Sequence, residues 1–131
     1  MGKVFRFSKS ERLCSKKEIT ELFDKGVSVF SYPFKIYFLP KKEASFFSVL
    51  ISCPKKKFPK SVDRKKIIRK IREAYRLQKH NFHEELGIPF GSFAIIFLGK
   101  EILEHKVLFE KLNNAFRRLR FQIDANENKE I

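Results

Sequence analysis

His80 and His83, in HNFHEE, stand three residues apart, a spacing at which two imidazoles on one helix face can share a metal ion. No third donor is evident near them, so solvated positions at a helix end account for both. The thiols Cys14 and Cys53 lie far apart and in no CxxC or Cys/His spacing, which reads as two small core residues rather than nucleophiles, zinc ligands or a disulfide framework. Free thiols of this kind suit a reducing cytoplasm. The patterns of self-contained catalysis, GxxxxGK[ST], GxGxxG, GxSxG and HExxH, are absent. Cations remain: 29 Lys and Arg against 15 Asp and Glu give 131 residues a formal charge of +14. Such self-repulsion in a small chain points to an anionic partner, nucleic acid first.

The charge is concentrated in SVDRKKIIRKIREAYR, residues 61–76. At 100° per residue from Arg64, Ile67, Ile68, Ile71, Ala74 and Tyr75 share an arc of about a third of a turn, the width of a core-facing stripe. Lys65, Arg69, Arg72, Arg76 and Lys79 share the adjacent arc, a rail of cations facing outward. Such a run is often only a solvated helix face. Here the loop PKKKFPKS adds Lys55, Lys56, Lys57 and Lys60, and only Asp63 and Glu73 dilute the cluster, which favours phosphate binding. Five neutralised phosphates would cost roughly two to three decades of affinity between 50 and 200 mM salt.

The elements that must hold this rail follow from pattern. With 43% apolar residues and 16 phenylalanines the chain can bury a core, and its length fits one domain, residues 1–131, with residues 1–12 and 124–131 expected as flexible tails. Ser15 and Glu18 form a capping box that starts a helix; Ile19, Leu22 and Phe23 give it one apolar face and Gly26 ends it. A strand is expected from Phe30 to Leu39, in which Phe34, Ile36 and Phe38 alternate with Lys35, Tyr37 and Leu39. The short connection KKEAS to FFSVLISC predicts an antiparallel hairpin. The basic helix follows, with Asp63 or Ser61 as its N-cap. FAIIFL, 93–98, reads as a strand buried on both faces, making a βαβ crossover possible. Leu108, Leu112, Ala115, Phe116 and Leu119 mark a last helix with Arg117, Arg118 and Arg120 near its end. No apolar run approaches the roughly 20 residues that span a membrane, and the charged start MGKVFRFSKSERLC is unlike a secretion signal. Tyr37 beside Lys35 could stack a base and hold its phosphate, with core packing as the alternative.

These residues resemble the protein component of bacterial ribonuclease P. The similarity runs from about Arg12 to Phe121 through LFDKG, FKIYF, FSVLIS, the lysine loop, SVDRKKIIRKIREAYR and FAIIFL. Its specific signature is the helix beginning near Arg64, whose Arg64, Lys65, Lys66 start followed by Arg69, Arg72, Glu73, Ala74 and Tyr75 is similar to the family's arginine-asparagine-arginine motif and the arginine-rich stretch after it. The resemblance implies a small α/β (α+β) two-layer sandwich of about four strands and three helices, in the order α-β-β-(β)-α-β-α, with a left-handed crossover against the usual rule. It implies a subunit without catalytic residues that helps a catalytic RNA remove the 5′ leader of precursor tRNA, with Mg2+ held mainly by that RNA and no obligate protein partner. RNA contact is then expected from Lys55, Lys56, Lys57, Arg64, Lys65, Lys66, Arg69, Lys70, Arg72 and Arg76, and leader contact in a cleft from Ile19, Phe23, Lys35 and Tyr37. Lys65 and Lys66 replace the motif's Asn and second Arg, losing an amide's paired donor and acceptor and one planar fork. Ile19 replaces a common aromatic. Two other readings compete: a non-enzymatic structured-RNA binder such as a ribosomal protein, and a DNA-binding regulator, disfavoured because no short helix immediately precedes residue 64.

Overall fold

The structure, a computed structural model, describes residues 11–13 and 15–129, the last three by backbone alone. Of the flexible tail expected over residues 1–12, residues 1–10 lie outside the described residues, as does the core role of Cys14, while Arg12 bridges to Val49. Alternation of apolar and polar residues builds a four-stranded sheet: β1 Val27–Ser31, β2 Phe34–Pro40, β3 Ser48–Ser52 and β4 Gly91–Phe97. Three helices surround it: α1 Lys16–Lys25, α2 Ser61–Glu84 and α3 His105–Lys129. The stretch expected as a frayed tail from residue 124 continues α3 through Lys129.

The single strand expected from Phe30 is two strands. A cis Tyr32–Pro33 bond lies in the turn, β1 pairs antiparallel with β2, and Val29 stands opposite Ile36. The expected β2–β3 hairpin does not form. The sheet order is β1-β2-β4-β3, so β4 lies between them, antiparallel to β2 and parallel to β3. Burial decides this: six of the seven β4 residues are buried, so β4 gains most from a central place with a neighbour on each side, which the short KKEAS connection does not outweigh. The crossover expected between β3 and β4 is present, carried by α2.

The pleat sorts the side chains. Phe34, Ile36, Phe38, Val49, Phe93, Ile95 and Phe97 face α2 and α3 in the main core, where Phe82 and Phe116 stack at 3.7 Å. The opposite face meets α1, where Leu22 and Leu13 pack on Ala94, with Ile19, Tyr37, Leu39 and Leu50 partly buried around them. Ser15 Oγ accepts a hydrogen bond from the Glu18 backbone at 3.3 Å, as the capping pattern predicts. Gly26 ends α1 for a steric reason: at φ −72° its conformation suits any residue, but a Cβ there would stand 2.4 Å from Leu22 O and 2.9 Å from Phe38 O.

Candidate nucleic-acid interface

α2 shows the two-sided character its sequence predicts. Ile67, Ile71, Ala74 and Tyr75 are buried and Ile68 is partly buried, which anchors the helix on β3 and α3. Its start differs from the expectation. Neither Ser61 nor Asp63 caps it; Lys60 holds the N-cap position without a side-chain hydrogen bond. Instead Arg64 reaches back, its Nη1 donating to Phe58 O at 2.8 Å and Pro59 O at 2.7 Å, which fastens the lysine loop to the helix. Buried Phe58 anchors the loop from below while Lys55, Lys56 and Lys57 stay exposed, and Lys57 Nζ donates to Leu98 O at 2.7 Å.

The outward rail divides in two. Its first half is exposed: Lys65, Lys66 and Arg69 stand in solvent, and Lys65, Arg69 and half-buried Arg72 rim a shallow depression with Ile68 at its base. Its second half is engaged by acids, against the expectation of an open cationic edge through Lys79. Arg76 is held by both carboxylate oxygens of Glu73, whose pKa that hydrogen bond lowers, and Lys79 Nζ lies 2.7 Å from Glu11 in a largely buried pair. Lys70 donates to Leu103 O at 3.1 Å, bracing the segment before α3.

Arg12 is the residue that sequence reasoning missed. It bridges β3 at Val49, and the next residue, Leu13, donates its N–H to Val49 O at 3.0 Å. There its charge falls beside Arg72, whose pKa is lowered by burial first and by the Arg12 guanidinium second. Only the parallel placement of residue 12 along β3 brings them together, and no local pattern announces it.

The four cleft residues gather on the other face. Tyr37 and Lys35 project from β2 toward α1, Lys35 Nζ lies 5.4 Å from the Tyr37 ring centroid, and Phe23 meets that ring edge-on at 4.6 Å. Phe23 is 38% exposed, so the group forms a partly open aromatic and cationic surface. Ile19 sits deeper, against the Leu13, Leu22 and Ala94 cluster. Lys41 ties the far side of α1 to the loop after β2 through Glu18 at 2.7 Å.

His83, expected as a solvated helix-end residue, is instead packed and hydrogen-bonded. His83 Nδ1 lies 2.8 Å from Ile88 O and its ring stacks on Phe90 at 3.7 Å. Among the described residues no cluster of three His, Cys, Asp or Glu is placed to hold a metal ion, and no helix is long and apolar enough to cross a membrane.

Comparison with known proteins agrees with this geometry. The ribonuclease P family profile matches residues 7–123. A ribonuclease P protein component from Porphyromonas gingivalis strain ATCC 33277 is 39% identical over 120 residues, covering 88% of each chain. The solved ribonuclease P protein of Staphylococcus aureus matches with a TM-score of 0.72 at 24% identity, over 85% of this chain and 96% of that one. That of Thermotoga maritima matches at 0.68 and 25%, over 82% and 96%. Coverage of nearly the whole domain by profile, relative and fold places the signature helix in its expected context, and the chain belongs to the ribonuclease P protein family, the protein components of the ribonuclease that processes tRNA 5′ ends.

Proposed function

We propose that this chain binds both the catalytic RNA of a cytoplasmic ribonuclease P and the single-stranded 5′ leader of precursor tRNA, through two different surfaces. Association with the RNA subunit follows from family membership. The observation that supports the division of labour is that the exposed half of the α2 rail and the aromatic cleft lie on opposite faces of the sheet, the rail with Arg72 and Arg12 beside β3 and the cleft between α1 and β2. On this reading Lys55, Lys56, Lys65, Lys66, Arg69 and Arg72 hold phosphates near the cleavage site. Phe23, Tyr37 and Lys35 take the leader, rings against bases and the ammonium against a phosphate.

Both surfaces carry cations, whereas Mg2+ takes oxygen ligands, so these residues do not suit that ion and it is assigned mainly to the RNA. The protein's contribution is positional and electrostatic: it fixes the leader and lowers repulsion between two polyanions. Reconstitution with the cognate catalytic RNA at low magnesium tests this. The protein should accelerate leader removal and raise affinity for precursor over mature tRNA. Equal affinity for the two tRNAs would instead indicate a general structured-RNA binder, and no acceleration would remove the assignment.

A further inference from the structure

The leader surface has an edge that its signature residues do not include. Phe30 on β1 stands directly opposite Lys35 on β2, and the pleat points both toward the α1 face of the sheet. α1 contacts β2 and β4 but not β1, and Phe30 remains 50% exposed. Phe23, Tyr37, Lys35 and Phe30 therefore form one row, with Phe23 4.6 Å from Tyr37, Lys35 5.4 Å from Tyr37, and Phe30 one strand further, about 4.5 to 5.5 Å between opposed Cβ atoms.

We infer that Phe30 is a second stacking residue for single-stranded RNA, taking a base beyond the one at Tyr37, with Lys35 holding the phosphate between them. An aromatic, a cation and an aromatic in sequence match the alternation of base and phosphate along one strand, and the chain's charge of +14 favours an anionic occupant over an apolar one. The sheet order places β1 at the edge opposite β3, where Arg12 and the rail lie. Phe30 is thus the far end of the path, reading leader nucleotides most distant from the cleavage site. This rests on the leader assignment above.

The test uses holoenzyme reconstituted with the cognate catalytic RNA and precursor tRNAs whose leaders grow one nucleotide at a time. Affinity of the unmodified protein should rise with leader length in two steps. Phe30→Ala should abolish the later step, about five- to tenfold, at the low end of base-aromatic stacking, and Phe30→Tyr should restore it. Tyr37→Ala should abolish the earlier one. Loss of affinity by Phe30→Ala at every leader length equally, or at none while the unmodified protein keeps both steps, overturns the inference and leaves the leader assignment standing. An unmodified protein indifferent to leader length overturns both.

Discussion

Arg69 and Arg76 lie about two turns apart on the same outward arc of α2, yet their electrostatic settings differ. Arg69 is exposed, while Arg76 donates to both carboxylate oxygens of Glu73 through Nε and Nη2. A cation already paired releases fewer counterions when it meets a phosphate. Arg69→Ala and Lys65→Ala should each reduce the slope of log affinity against log salt by about one, measured for the catalytic RNA, and Arg76→Ala by less than half as much. Glu73→Gln should steepen that slope by removing the charge that Glu73 sets against Arg76, and equal effects of the two arginine substitutions would refute this division. The carboxyl of Glu73 titrates below its usual 4.5 because Arg76 hydrogen-bonds it. The stability it lends is therefore present above 4.5 and fades as the pH falls further, and it is small because the pair faces solvent.

At the scale of elements, placement depends on a few contacts that no periodicity reveals. Gln78 is fully buried between α2 and α3, where its Nε2 donates to Ala74 O and Phe109 O at 3.1 Å and its Oε1 accepts from Asn113 at 2.9 Å. Gln78→Leu leaves the Asn113 amide and the Phe109 carbonyl short of partners and should cost about 2 to 3 kcal/mol in urea unfolding, with RNA affinity kept where the fold survives. Gly26→Ala drives a methyl into the Leu22 and Phe38 carbonyls and should destabilise by about 1 to 3 kcal/mol. Because Gly26 sets where the chain turns from α1 into β1, that substitution should also weaken leader binding. Full leader affinity in a protein destabilised this way would show that the cleft tolerates movement of α1.

For the whole molecule, the net charge makes salt act in opposite directions on stability and on binding. Screening relieves self-repulsion in the free protein, so its melting temperature should rise between 50 and 300 mM salt, while affinity for RNA falls by orders of magnitude over a similar range. A melting temperature that falls with salt would mean that ion pairs such as Lys79 with Glu11 outweigh the repulsion. The sequence by itself determined the elements whose information is local: the capped start of α1, the apolar and cationic arcs of α2, the doubly buried β4 and the stripe of α3 are periodicities within a dozen residues or so. It also carried the signature that identified the family. Tertiary structure alone decided that β4 separates β2 from β3, that Arg12 meets Arg72, that Glu11 and Glu73 occupy half of the rail, and that Phe30 extends the row begun by Phe23. Each of these is a juxtaposition of residues distant in the chain or brought together across a turn, fixed by which strand buries most when central, and burial of that kind is a property of the assembled sheet rather than of any segment within it.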